Sequence, residues 1–282
     1  MKSNHTFQRP ARPAIPPPAE IAKDRLNPER ATKIWNNEHA LFYAQTITQS
    51  DYAAQLAPLI PPSAASVLDI GAGNGALVRH CLKPGATWIA VEPNWEMQNQ
   101  LIAMKKDLVR NRVALRLMPC QWQSLPPYLN ADVVYAFNLG ATHAEALAFH
   151  DAMRPRARKL MCWVVPAQAG PSTFCLSGFL PAELHGADTR PAFEKTLAML
   201  GAKSAPTRLQ FADWTYRVAF ASVAAAQAHF LDRLGLTPDT DRGREVSTFV
   251  ATHCVPDVGG VIAQCAKRSA VMTWEMTKTL RM

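Results

Sequence analysis

The sequence predicts an α/β fold, a largely parallel β-sheet covered by helices on both faces, and three observations predict it. Beyond Pro62, short β-branched runs alternate with helical stretches, which is the order that βαβ units require. The run Val67-Leu68-Asp69-Ile70 leads into glycines at alternate positions, Gly71, Gly73 and Gly75, as a strand does where its carboxyl end turns tightly. An acid, Glu92, ends the next run, Trp88-Ile89-Ala90-Val91, 21 residues after Gly71.

Taken in order, residues 1–26 read as a disordered, basic tail, because Pro10, Pro13, Pro16, Pro17 and Pro18 fix φ and remove backbone donors. Residues 27–62 read as lid helices. The first carries Ile34, Trp35, His39, Leu41, Phe42 and Ile47; the second carries Tyr52, Leu56 and Leu59 and stops at Pro61-Pro62. Residues 63–282 form the main domain. Strands are expected at 66–70, 87–91, 114–117, 132–137 and 159–165, with helices near 76–81, 95–107 and 143–153. Residues 167–190, rich in Pro, Gly and Ser, read as a long loop, and 167–260 as insertions on the substrate side. Pro191 and Gly201 bracket a helix, Ser222 caps another that runs to Gly235, and a third covers 244–253. The remaining strands are 207–211 and 267–274. The closing segment is expected at the sheet edge, with Lys267 and Arg268 as solvated edge protection.

Of the 282 residues 48% are hydrophobic and 18% charged, which suits a globular domain and excludes disordered and collagenous classes. No run approaches the ~20 apolar residues of a membrane span, and the basic start lacks the apolar stretch of a secretory signal, so no membrane partner is expected. Six cysteines without a C-x-x-C pair read as reduced thiols of a cytoplasmic protein. The formal charge of +8 raises the question of a polyanionic partner, and its distribution answers it. Residues 1–35 hold a net +4 and residues 267–282 a net +3, leaving the body nearly neutral.

The glycine loop lets backbone approach a ligand closely, and the helix expected after it offers free N–H groups. Gly71, Gly73 and Ala76 also satisfy the G-x-G-x-x-A spacing of dinucleotide-binding proteins. Asp69 separates the two possibilities, because a carboxylate there repels a pyrophosphate yet attracts, directly or through water, a ligand ammonium. Glu92 accepts from ribose hydroxyls in either case. An ammonium at one end and a ribose at the other describe S-adenosylmethionine.

At these residues the chain resembles the class I S-adenosylmethionine-dependent methyltransferases, over about residues 35–165 and the closing strand. Asp69 to Gly75, with Asn74 inside the loop, is similar to the family's first motif, and Val91-Glu92-Pro93-Asn94 to its ribose acid and turn. The resemblance implies a Rossmann-like sheet of seven strands, six parallel and one antiparallel. In the segment that follows the family's third strand, Gln121 stands where an acid usually binds adenine, and Trp122 offers a ring to stack on it. Asn138, at the end of the fourth strand, would face the methyl group, and Tyr43 the methionine carboxylate. Methyl transfer chiefly needs alignment, and His143 is the candidate base for acceptors that must lose a proton. His143-Ala144-Glu145 lacks the Pro-Cys-x-x-Cys of zinc deaminases, so no metal is expected.

Phe137-Asn138-Leu139-Gly140 departs from the Asn-Pro-Pro-Tyr with which related enzymes grip a flipped base, which favours a small-molecule acceptor over nucleic acid. The expected activity is methyl transfer to an O, N or S atom of that small molecule. Two other readings remain open, a non-catalytic S-adenosylmethionine-binding sensor or scaffold and an NAD(P)-dependent oxidoreductase; Asp69 opposes the latter. The acceptor's identity and the oligomeric state are not encoded in any motif.

Overall fold

The computed structural model describes residues 37–62, 65–139, 145–169, 178–185 and 190–276. The proline-rich tail, Trp35 and His143 lie outside them. One sheet organises the rest, in the order β3-β2-β1-β4-β5-β8-β6. Its first five strands are β1 (Ser66–Ile70), β2 (Thr87–Val91), β3 (Ala114–Met118), β4 (Ala131–Phe137) and β5 (Ala157–Pro166), and they are mutually parallel. β6 (Arg208–Phe220) pairs antiparallel with β8 (Gly260–Glu275), which pairs antiparallel with β5. Along this path six strands therefore run one way and β8 the other, as the resemblance implies. A short β7 (Val255–Asp257), hairpinned onto β8, is one strand more than expected.

The central strands read as continuous apolar runs because both of their faces are covered. Val67, Trp88, Val133 and Cys162 point into one buried layer, while Leu68, Ile70, Val134 and Trp163 point into the other. Each such side chain contributes about 1.5–3 kcal/mol by leaving water.

Helices α1 (Asn37–Gln49) and α2 (Tyr52–Leu56) precede the sheet, where the two lid helices are expected. After β2 comes α3 (Trp95–Ala103), which Asn94 caps by accepting from the N–H groups of Glu96 and Met97. α4 (Lys105–Arg110) continues it beyond Met104, so the single helix expected over 95–107 is two. α5 (Ala146–Met153) links β4 to β5. The C-terminal third adds α6 (Ala182–His185), α7 (Ala192–Leu200), α8 (Val223–Leu234) and α9 (Asp241–His253). The expected end signals act as read: Ser222 Oγ accepts from Ala225 N at 3.1 Å, and Gly201 and Gly235 end their helices at φ 65° and 64°. α9 starts earlier than expected because Thr240 caps it.

Two expectations need correction. The helix expected over 76–81 is only a 3-10 turn, Val78–His80. Pro84 follows closely and bars its predecessor from the α region, so the segment closes with short-range bonds, His80 N to Leu77 O and Cys81 N to Val78 O. The segment directly after the glycine loop therefore offers a 3-10 turn in place of the expected α-helix N-terminus. The closing strand is also not the sheet edge. It lies between β5 and β6, and Ser269 to Trp274 are buried without interruption. Lys267 is 7% exposed rather than solvated, and the Arg268 guanidinium sits 5.0 Å above the Phe211 ring and 3.6 Å from Asp213. The edge is β6, which together with β8 runs much further than the expected 207–211 and 267–274.

An interior β8 makes a direct prediction. Trp274 is buried, packs 5.3 Å from the His150 ring and donates from Nε1 to Ser204 O at 2.9 Å. Trp274→Ala should cost about 3–5 kcal/mol in denaturant unfolding, while Val258→Ala, at the exposed β7–β8 turn, should change stability by less than about 0.5 kcal/mol.

Candidate functional site

The sheet's topology selects one place for a ligand. From β1 the chain proceeds to β2 and β3 on one side, whereas β4 and β5 lie on the other, so the carboxyl ends of β1 and β4 flank the point where the strand order reverses. Two loops meet there: the glycine loop after Ile70 and the turn Asn138-Leu139 after Phe137. Their contact is close. A Cβ added at Gly71 would lie 2.7 Å from Leu139 Cδ1.

All three loop glycines have positive φ, 66° at Gly71, 56° at Gly73 and 70° at Gly75. Their surroundings differ. A Cβ on Gly75 would meet the Trp88 ring at 2.7 Å and Met104 Cε at 3.0 Å, so this glycine serves packing. A Cβ on Gly73 would meet nothing within 4 Å, so here the bare backbone borders open space.

Glu92 holds the loop in this shape. One carboxylate oxygen accepts from Gly73 N and the other from Asn94 N, both at 2.8 Å, and Gln98 Nε2 donates to the Glu92 carbonyl, also at 2.8 Å. Burial pushes the Glu92 carboxyl above the usual carboxylate range, and the two N–H bonds pull it partly back. Each oxygen retains a second acceptor position. Pro93, half-buried, follows directly.

Asp69 is 1% exposed and lies beneath the loop rather than at its surface. Its Oδ2 accepts from Trp88 Nε1 at 3.1 Å, and its Oδ1 has no hydrogen-bond partner among the described residues. Burial pushes this carboxyl up to about 7; the Trp88 N–H opposes the shift and the nearby Glu92 charge adds to it. Trp88 is a partner of the candidate site that the sequence reading missed. The signal was present in the alternation, because Trp88 and Ala90 face the same layer as Val67 and Asp69 in the parallel β1–β2 register. The neighbouring Cys81 thiol is pushed by burial to about 12, which leaves it protonated.

The N-terminal helix is fastened to this end of the sheet. Asn74 donates from Nδ2 to Ala44 O of α1 at 3.1 Å and accepts at Oδ1 from Ala76 N at 3.2 Å, so its side chain faces the helix and its own loop. Tyr43 is hydrogen-bonded to Asn138, and burial raises the phenol's pKa. Asn138 itself adopts φ 53°, a left-handed conformation that Asn tolerates better than most residues. Further along α1, the Thr46 hydroxyl bonds the Tyr216 hydroxyl of β6. Gln121 opens the 3-10 turn Trp122–Ser124 after β3, and the Trp122 ring stands edge-on to Phe149 of α5 at 5.3 Å. The site residues expected from the sequence thus lie on five segments at the carboxyl end of the sheet, while His143 lies outside the described residues. Two open cavities lie elsewhere. One, of about 460 Å³, is bordered by Asp51, Trp214, Lys267 and Arg268, and the other, of about 610 Å³, by Asp241, Arg244 and Phe249.

No protein-family model matches the chain, and no curated protein does. Among solved structures, it is similar to a protein of Bacillus halodurans described as a candidate methyltransferase, at 15% identity over 79% of this chain and 97% of that one, with a TM-score of 0.46. It is also similar to the YcgJ protein of Bacillus subtilis, at 15% identity over 84% and 98%, TM-score 0.43. A third is the magnesium protoporphyrin IX methyltransferase of Synechocystis with bound S-adenosylhomocysteine, at 15% identity over 70% and 93%, TM-score 0.41. At such scores the fold assignment rests on this chain's own strand order.

The buried Asp69 carboxyl gives the fold a pH dependence. Its folded pKa lies above the ordinary 3.8, so its contribution to stability is complete below that value, declines as pH rises toward about 7, and is lost beyond it. Asp69→Asn keeps an acceptor for Trp88 and removes the titration. Thermal melts should show the variant more stable than wild type at pH 8, by on the order of 2–4 kcal/mol, with the difference shrinking toward pH 4. Equal differences at both pH values would contradict the assignment.

Proposed function

We propose that this chain transfers a methyl group from S-adenosylmethionine to an O, N or S atom of a small molecule. The observation that carries the proposal is the pairing of a positive-φ glycine loop, open at Gly73, with the Glu92 carboxylate one strand away, at the point where the strand order reverses. When bound, S-adenosylmethionine supplies a methyl group on a sulfonium, open to in-line displacement by an acceptor lone pair.

The chain's own residues fit such a ligand. The vacant acceptor positions of Glu92 suit a pair of ribose hydroxyls, and Gly73 admits the ligand against bare backbone. Asp69, titrating near neutrality with one oxygen unsatisfied, ionises readily when a cation approaches, and the same charge repels a pyrophosphate. This favours a cationic ligand over NAD(P). Tyr43, neutral at physiological pH, can donate to a ligand carboxylate, while Asn138 borders the place where the methyl would sit. Leu139 and Trp122 offer apolar surface for an adenine. The Asn74 and Tyr43 bonds hold α1 against this end of the sheet, where it would shield a bound ligand from water. His143 is the base we assign where the acceptor must lose a proton. A small molecule is the acceptor favoured, since the turn after β4 lacks a base-gripping motif.

Calorimetric titration tests this directly. S-adenosylmethionine should bind and NAD should not. Gly73→Ala, which adds only about 1–2 kcal/mol of backbone strain, and Glu92→Gln, which keeps an acceptor oxygen for the loop amides but removes the charge, should each weaken binding by about tenfold or more, with circular dichroism reporting a folded chain. Labelled methyl should then pass from the cofactor to a component of a metabolite extract. Binding of NAD, or undiminished affinity in both variants, would refute the assignment; binding without any labelled product would support the sensor reading.

A further inference from the structure

Helices α3 and α4 bury Met97, Leu101 and Leu108, with Met97 packed against α1, and turn another side outward. On that outer side Trp95, Ile102 and Val109 recur every seven residues and are 54%, 54% and 65% exposed. Residues seven apart on one α-helix lie within about 20° of one another, so Trp95 and Ile102 align along α3; Met104 ends that helix at φ −75° and ψ −7°, and Val109 follows on the exposed side of α4. Single exposed apolar residues are ordinary on a protein surface, whereas three on one outer side, with a tryptophan at one end, form a patch.

The charge around this row has one sign in excess. Lys105, Lys106, Arg110 and Arg112 are all exposed; Asp107 bridges Arg110 at 3.1 Å, and with Glu96 counted residues 95–112 carry a net +2. The geometry points to this face as a docking surface for an anionic lipid bilayer. The apolar row enters the headgroup boundary, with Trp95 at the depth an amphipathic ring favours, and the flanking lysines and arginines meet lipid phosphates. Nucleic acid would engage the cations but leave the apolar row in water. The contact is peripheral, since among the described residues no helix is long and apolar enough to cross a membrane. An expectation of no membrane partner drawn from the lack of a spanning run does not bear on such a contact, and the proposal stands independently of methyl transfer.

Sedimentation of the full chain with vesicles tests it, using phosphatidylcholine alone and an equimolar mixture with phosphatidylglycerol. The protein should sediment with the mixed vesicles and not with phosphatidylcholine alone, and added salt should weaken the binding. The double variant Trp95→Ala/Ile102→Ala, and separately Lys105→Glu/Lys106→Glu, should each lower partitioning by about tenfold or more. Tyr128→Ala, exposed on another segment, should leave it unchanged. All these side chains are exposed, so circular dichroism should report an intact fold. Absence of binding to the mixed vesicles, equal binding to both kinds, or full retention by the variants would overturn the proposal. Salt-sensitive binding to a DNA duplex that survives Trp95→Ala/Ile102→Ala, without vesicle binding, would also overturn it.

Discussion

Glu92 bridges two backbone amides, those of Gly73 and Asn94, and thereby fixes the glycine loop after β1 to the turn after β2. A charge-assisted bond of this kind contributes about 1.5–3 kcal/mol, and two of them set the shape of a loop whose glycines have no side chains to anchor it. The rest of the site follows from that clamp. With Gly73 held, Asn74 is aimed at Ala44 of α1, Gly71 lies against Leu139, and Gly75 leaves room for Trp88, which in turn satisfies one oxygen of Asp69. The same carboxylate keeps acceptor positions beyond these two bonds, so the clamp leaves it able to meet the proposed ligand.

Two acids of different character meet at this end of the sheet. Glu92 is buried but doubly bonded; Asp69 is buried with one oxygen unsatisfied and titrates near neutrality. A buried group left partly unsatisfied is a cost to the fold that a cationic ligand would offset, and such costs concentrate where ligands bind. The positive formal charge of the chain is concentrated in its terminal segments, while the two acids lie at the proposed site.

Much of this was legible in the sequence, and the reasons are local. The strands β1 to β5 announce themselves as apolar runs because both faces of a parallel sheet are buried, and the glycines mark positions that need positive φ. Helix ends at Ser222, Gly201 and Gly235 were readable for the same reason: each is set by one residue's own backbone preference. What eluded the sequence depended on distant partners. The turn at Val78–His80 looked helical by its apolar spacing, yet Pro84 leaves it too little length. The closing strand looked like an edge because Lys267 and Arg268 are charged, but its neighbours β5 and β6 are remote in the chain, and the Arg268 charge is met by Asp213 and the Phe211 ring. Asp69 was readable as a site acid, whereas its bond to Trp88 depends on the β1–β2 register. The inward aim of Asn74 depends likewise on where α1 packs.

The central claim is that the loop clamped by Glu92 receives S-adenosylmethionine. Backbone amide resonances of an isotope-labelled sample, followed through a titration with that ligand, test it at the atoms concerned. The Gly71, Gly73 and Asn94 amides should shift saturably and ahead of the rest of the chain, while an equal titration with NAD should leave them in place. Amides that stay unmoved by S-adenosylmethionine, or that move alike with NAD, would contradict it.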